Sequence, residues 1–315
     1  MGISKVVVLA GGISHERDVS LRTGRQVADS LLEHGLQVEL RDPDATLLPA
    51  LLADRPDVVW PALHGASGDD GALRGLLGFL GIPFVGARAE AARLAWDKPT
   101  AKVVVSRAGV ATPRSISLGR DAFRELGAEA VFAAIGDELP VPLVVKPAQG
   151  GSALGVTIVT DAAQLPRAMV DAYTYWDVAV IEQFIAGTEI GIGVIDTGDG
   201  PVALPAVEIE PTSGVYGYEE RYNPGLTNFY APARIADDAA AVAAETALAA
   251  HRALGLRHIS RIDLIVDGAG TAWFLEASVM PGLTETSLVP LALEAAGHDL
   301  GWVYARLAEA AVADG

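Results

Sequence analysis

Two carboxylates set into apolar strands carry the first chemical signal of this sequence. Residues 262–266 and 272–275 are apolar runs separated by Asp267-Gly268-Ala269-Gly270, a composition that predicts a β-hairpin turn. Asp263 lies in the first run and Glu276 closes the second. In an antiparallel hairpin the start of one strand and the end of the other share one end, so the two carboxylates converge. Acidic groups in such strands are costly to bury unless a cation sits between them. Oxygen ligands with no cysteine or histidine beside them suit Mg²⁺, above all Mg²⁺ that also holds phosphate oxygens. On spacing alone, a pair of solvated strand-end charges explains the same two residues.

Phosphate chemistry is suggested further upstream. Residues 141–146 (VPLVVK) predict a strand ending in Lys146-Pro147, followed by a glycine-rich hairpin loop, QGGSALG at 149–155, and a strand over 156–159. A lysine closing a strand beside such a loop outlines a phosphate clamp, with backbone N–H groups around the oxygens and the ammonium as a point charge. It is not a Walker A loop, because G-x-x-x-x-G-K-[ST] is absent. DKPTAKVVVSRA at 97–108 predicts a helix opened by Asp97, with Lys98 and Lys102 on one face. Glu182 and Glu189 flank the turn between strands expected at 178–185 and 190–195, where a carboxylate can accept from a ribose hydroxyl. Either glutamate taken singly also reads as a solvated strand end. Residues 212–232 hold many Gly, Asn, Pro and Tyr residues and no periodicity. A long irregular stretch of this kind is usually functional, and its tyrosines and Arg221 suggest a lid.

These groups need a scaffold, and the first ninety residues outline one. KVVVLA at 5–10 is a buried strand running into Gly11-Gly12. SHERD at 14–18 leads a helix reaching about Glu33, stopped by Gly35. Strands follow over 36–40 and 57–63, the opening of a doubly wound α/β domain whose ligands sit at the carboxyl ends of its strands. GGISHE is not G-x-G-x-x-G, so the dinucleotide fingerprint fails. Glu16 is either a ligand-facing carboxylate or a first-turn acid favoured by the helix dipole. HGASGDDG at 64–71 is a tight loop, and the reading favours His64 tied to Asp69 or Asp70 over direct catalysis. A helix over 73–80 and a strand over 82–86 close this part. After the helix at 97–108 comes a linker, then helix 161–173, strand 204–210, an alanine-rich helix over 236–254, and two last helices near 287–296 and 301–311.

Bulk properties narrow the function. A chain of 315 residues, 50% hydrophobic, buries large cores and makes two or three domains. No apolar run is long enough to span a membrane. Residues 1–11 read as a strand, not a secretory signal, and Val6 fails the myristoylation pattern that Gly2 invites. The absence of cysteine excludes disulfides, thiolate metal sites and cysteine nucleophiles, and suits a reducing cytoplasm. A net charge of −17 argues against nucleic acid as the main partner, yet local lysines and a metal can still reverse the field for a small anion.

Taken together and in order, the motifs resemble D-alanine–D-alanine ligases, members of the ATP-grasp superfamily. They are GGISHERDVSL (11–21), HGASGDDG, DKPTAK, VVKPAQGGSALGV (144–156), IEQFIAGTE (181–189), YEERY (218–222) and RID…EASVMPGLTETSL. The resemblance implies an α/β and α+β chain with a three-domain ATP-grasp fold. These would be an N-terminal doubly wound-like α/β substrate domain (1–95), a central ATP-grasp subdomain (96–190), and a catalytic C-terminal domain (191–315) bearing the lid 212–232. It implies ATP held by Lys102, Lys146, Glu182, Glu189 and Arg221, with Glu189 on the ribose. Two Mg²⁺ ions, replaceable by Mn²⁺, would be held by Asp263, Glu276 and Ser278. Glu16, Ser152 and Tyr222 would hold the first substrate's ammonium and tie the lid shut. His64 would stand beside that substrate, Arg261 and Gly282 would stabilise an oxyanion, and Ser287 and Leu288 would receive the second carboxylate. A cytoplasmic homodimer acting on small D-amino acids for peptidoglycan synthesis is likewise implied, with no nucleic-acid or membrane partner.

The mechanism implied has two steps: one D-alanine carboxylate takes the γ-phosphoryl group, and the amine of a second displaces phosphate. Three departures stand out. Ser278 occupies a position where the family has asparagine, Arg221 one where lysine is usual, and Ala153 replaces a loop serine. Ser278, Arg221 and His15 motivate one alternative, a ligase joining another D-amino acid or small amine. A non-catalytic ATP-binding protein is the alternative of another class, disfavoured by the retention of Arg261 with both carboxylates and both lysines. Tyr222 agrees with dipeptide rather than depsipeptide formation.

Overall fold

In the computed structural model, which describes residues 2–223 and 225–314 and gives Tyr222 by its backbone alone, three sheets organise the chain. Strands Gln37–Arg41, Lys5–Leu9 and Val58–Pro61 pair in parallel in that order. The run KVVVL is apolar after its first residue because both faces of the sheet are covered. Val6 and Val8 pack with helices Arg17–Glu33 and Leu300–Ala313, while Val7 and Leu9 pack with Leu47–Ala53 and Ala72–Phe79. The first strand and the last helix therefore share one core. Helix Leu47–Ala53 was not expected from the sequence; its Pro49 sits in the first turn, where a missing N–H is tolerated. The strand expected at 82–86 reduces to a bridge between Val59 and Phe84.

Residues 109–140 are not the linker expected. They form strand Ser115–Gly119 and helices Arg120–Leu126 and Ala128–Glu138. The strand is a half-exposed edge and the helices bury little, so neither imprints a strong period on the sequence. The central sheet is antiparallel, ordered Ser115–Gly119, Val178–Gln183, Leu143–Pro147, Thr157–Val159. Ile135 and Leu139 at the end of one helix, and Leu165, Ala168 and Met169 of helix Leu165–Tyr173, cover one face of it.

The third sheet runs Thr227–Tyr230, Val207–Pro211, Gly187–Ile195, Ile259–Asp267, Ala272–Ser278, with Val202–Ala203 paired beside Gly187–Ile195. Ile190, Ile192, Ile262, Leu264 and Phe274 face a helical layer made by Ala89–Trp96, Lys98–Arg107 and Asp237–Ala253. The boundary expected at residue 190 falls inside strand Gly187–Ile195, and Ala101 and Val105 of Lys98–Arg107 belong to this third core. The stretch 212–232, expected to be irregular, contains helix Tyr218–Tyr222 and strand Thr227–Tyr230. Both are too short for a period to register.

Candidate active site

The opposite face of the third sheet is polar, and its register explains why. Asp263 pairs with Gly191 on one side and with Glu276 on the other, and Arg261 pairs with Ser278. Residues opposite one another share a face, and alternate residues along a strand return to it. Glu189, Arg261, Asp263, Glu276 and Ser278 thus project from the same side. A regular strand would have kept Glu276 on the helix-covered face with Ala272 and Phe274. Between Asp263 and Leu264 the pairing shifts, from Glu276 to Phe274, and this bulge at Leu275 turns Glu276 to the face of Asp263.

Electrostatics on this face are dense. Arg261 grips Asp263 with two donors, Nε to Oδ1 at 2.6 Å and Nη2 to Oδ2 at 2.7 Å. Lys98 Nζ stands 3.3 Å from Glu276 Oε2 and donates to the Gly150 carbonyl at 2.7 Å. Burial alone would raise the Glu276 carboxyl, but Lys98, Lys146, Arg221 and Arg261 outweigh it and bring it to about 2. Glu189 goes the other way: burial, and the negative charge of Asp263 and Glu276 against the pull of Arg221, push it up to about 7. Gathered carboxylate oxygens that raise a neighbour's proton affinity fit a hard divalent cation as an additional partner. The hydroxyl of Ser278 stands on the same face, so the donor set is all oxygen.

A cavity of about 410 Å³ opens above this face. Arg221, Arg261, Glu276, Ser278, Gly282, Ser287 and Leu288 line it from the C-terminal part, Glu16 and His64 from the N-terminal sheet, and Ser152 from the central sheet. Three sheets therefore meet around one space. Glu16 precedes helix Arg17–Glu33 directly, and Ser152 Oγ donates to its Oε1 across 136 residues of chain. Ser152 and Ala153 hold left-handed backbone (φ 55° and 56°), a conformation that costs free energy without glycine and persists where surroundings enforce it. His64 is buried, and burial first, then Arg261, lower its imidazole to about 4, so the ring is neutral at pH 7. Its Nε2 meets Thr23 Oγ1 at 3.0 Å. The expected tie from His64 to Asp69 or Asp70 is not formed: Asp69 accepts from Gly65 N–H and Asp70 from Ala72 N–H. Thr284 N–H donates to Ser287 Oγ at 3.1 Å, and Gly282 packs so close that an added Cβ would stand 2.9 Å from that oxygen.

Lys102, Lys146, Glu182, Glu189 and Asp263 are not on the cavity wall. Lys102 and Lys146 both pair with Glu182, at 2.7 and 2.5 Å, and Glu182 is nearly inaccessible, not a solvated strand end. Arg221 stacks over the Tyr216 ring at 4.2 Å. The Tyr222 side chain lies outside the described residues. Sequence reasoning did not place Lys98 in the site, although the signal was present. Asp97 caps helix Lys98–Arg107 by accepting Thr100 N–H, which puts Lys98 at its first position, aimed at the loop after Lys146. Arg22, Asp69 and Tyr216 on the cavity wall were also missed. In sequence Asp69 reads only as a possible partner of His64, yet burial and the neighbouring Glu16 push its carboxyl up to about 8.

Comparison with known proteins agrees with this geometry. The family model described as "D-ala D-ala ligase C-terminus" matches residues 104–309. The D-alanine–D-alanine ligase of Bordetella petrii is 39% identical over 312 residues, covering 99% of this chain and 92% of the relative. The ligase of that name from Anaeromyxobacter sp. (strain Fw109-5) is 42% identical over 290 residues, covering 91% and 90%. Among solved structures, the VanG D-Ala:D-Ser ligase of Enterococcus faecalis superposes with a TM-score of 0.84 at 27% identity, covering 98% of this chain and 99% of that one. The D-alanine–D-alanine ligase of Bacillus anthracis complexed with ATP gives 0.82 at 26% identity, covering 100% and 98%. The scaffold of three sheets is accordingly the ATP-grasp fold, and the chain belongs to the D-alanine–D-alanine ligase family.

Proposed function

We propose that the protein joins two D-alanines with ATP cleaved to ADP and phosphate, the phosphoryl group passing through the first D-alanine's carboxylate, making D-alanyl-D-alanine for peptidoglycan. One observation carries this reading most directly. A single cavity receives a cation-pairing carboxylate, Glu16, and the hydroxyl of Ser152 on one side and the cationic and acidic cluster of Arg261, Lys98 and Glu276 on the other. An ammonium and a carboxylate on one small substrate need that division of charge.

Each residue then has a task. Glu16 takes the ammonium of the first D-alanine while Ser152 keeps its carboxylate in place. His64, held neutral, lines the substrate without adding charge. Lys98 and Lys146 supply positive charge to phosphate oxygens, with Lys102 behind them on Glu182, and Glu182, Glu189 and Arg221 border the nucleotide. Asp263, Glu276 and Ser278 would hold Mg²⁺, or Mn²⁺ in its place; when bound, the ions neutralise charge that builds on the phosphoryl oxygens. Arg261 and the Gly282 N–H stabilise the tetrahedral oxyanion formed when the second amine attacks. Ser287 and Leu288 receive the second carboxylate. Arg221 and Tyr216 close the roof formed by 212–232, keeping water from the reactive acyl phosphate. The three sheets, rather than the segments 1–95, 96–190 and 191–315, are the working units, and the chain acts as a pair of copies in the cytoplasm.

The test is phosphate release and product analysis with D-alanine, ATP and Mg²⁺; no ADP with both substrates present would refute the activity and favour a non-catalytic nucleotide binder. A second reading keeps the chemistry and changes the second substrate. Ser278, Arg221 and His15 depart from the family pattern, and one similar structure is that of a D-Ala:D-Ser ligase. Rates across a panel of D-amino acids separate the two, with D-alanine the fastest under the first reading.

A further inference from the structure

Two ammonium groups share one carboxylate in the seam between the central sheet and the third core. Lys146 stands in strand Leu143–Pro147, and Glu182 lies opposite Val144 in the neighbouring strand, so the two side chains are diagonal neighbours on one face. Lys102 arrives from helix Lys98–Arg107, which belongs to the other core. Lys102 Nζ is 2.7 Å from Glu182 Oε2, and Lys146 Nζ is 2.5 Å from Oε1. The three side chains are 4%, 8% and 2% exposed, so solvent does little to screen them. One helical turn earlier, Lys98 reaches the Gly150 carbonyl and Glu276.

The charges do not cancel. Two positive groups on one negative group leave a net positive charge in a buried place, where an uncompensated ion is costly. We infer that Lys102 is a positioning residue: by occupying one oxygen of Glu182 it leaves Lys146 with charge to offer an incoming phosphate. Without Lys102, Glu182 and Lys146 form a neutral pair, and the clamp loses the attraction it exists to provide. Burial lowers the Lys102 ammonium despite the opposing pull of Glu182, while both lysines together hold Glu182 below the usual carboxylate range against its own burial. The inference rests on the nucleotide reading given above and refines how the positive charge is set.

Charge arithmetic makes it testable without turnover. Calorimetric titration with ADP and, separately, with adenosine reads phosphate recognition apart from recognition of the base and sugar. Lys102→Met should weaken ADP binding by about tenfold or more, the scale of one lost charge-assisted contact, with adenosine binding within about twofold of wild type. Adding Glu182→Gln to that variant removes the neutralising carboxylate, and ADP affinity should return most of the way; Lys102→Arg should bind ADP as wild type does. Lys102→Gln serves where the methionine variant does not fold. A double variant that binds adenosine as the single one does and ADP no better would make Lys102 a direct phosphate ligand and overturn the inference. So would a parallel loss of ADP and adenosine, the mark of a purely structural staple, or an unchanged ADP affinity in Lys102→Met. Wild-type protein that binds neither ligand would overturn the nucleotide reading itself, and the inference with it.

Discussion

Asp263 and Glu276 face one another across an antiparallel pair whose register shifts immediately beyond them. The bulge at Leu275 brings both carboxylates to one side, where Arg261 already holds Asp263 by both oxygens. A divalent ion held here would share Asp263 with that guanidinium, which would leave Glu276 as the ligand with more freedom to respond. Glu276→Gln is expected to stay folded and lose at least about a hundredfold in kcat, the scale of removing a catalytic ion's direct ligand. Circular dichroism with a turnover assay at saturating Mg²⁺ checks this. Near-normal rates in a folded variant would remove Glu276 from the metal site.

Ser278 stands on the same face, across from Arg261. Its hydroxyl is shorter than an asparagine amide and would reach less far toward an ion. Ser278→Asn is expected to lower the Mg²⁺ concentration for half-maximal rate by about threefold or more, as improved ligation does. A Mg²⁺ titration at fixed ATP compares the two proteins. An unchanged or higher midpoint means that the serine already performs this role, through water.

Glu189 supplies a pH signature. Its folded value of about 7 lies above the ordinary carboxylate value of 4.5, so the folded state binds its proton more tightly than the unfolded chain does. Stability from this group is therefore fully present below about 4.5 and is lost as pH rises toward 7. Glu189→Gln cannot ionise and escapes the loss. In Mg²⁺-free buffer its melting temperature should exceed that of wild type at pH 8 by a few °C, the shift that about 1 kcal/mol produces, with a smaller difference at pH 5. Equal differences at both pH values would contradict the assignment.

Tyr222 bears on the choice of second nucleophile. A lid histidine protonated near neutral pH adds positive charge that disfavours an entering ammonium; tyrosine, with a reference pKa of about 10, adds none. With D-alanine and D-lactate supplied together at pH 7–8, the dipeptide is expected to dominate. Tyr222→Phe should raise KM by about threefold to tenfold, as loss of one hydrogen bond does, and leave that preference intact. Mass analysis of the products decides; predominant depsipeptide from wild type would refute the role of Tyr222.

Much of the site was legible before any coordinates. The hairpin with Asp263 and Glu276 showed in apolar runs broken by Asp-Gly, and the placement of Lys146 in a strand running into QGGSALG. The capped helix was marked by Asp97 three residues before Thr100. These are local signals, written in neighbouring residues and governed by periodicity and turn chemistry. Residues 109–140 were less legible because their strand lies at a sheet edge and their helices bury few side chains, so little hydrophobic pattern is required of them.

Sequence by itself determined the inventory: which oxygens, ammonium groups and glycine loops exist, and on which kind of element each rides. It even put Lys98 and Lys102 on one helical face. Only the tertiary structure decided that Lys98 meets the cavity while Lys102 is sealed against Glu182 with Lys146. It alone turned Glu276 toward Asp263 through a bulge, and bound Ser152 to Glu16 across 136 residues. The physical reason is common to all three. A pair interaction between distant residues depends on how whole sheets and helices pack, and a shift of one residue in a strand reverses the face of every side chain beyond it.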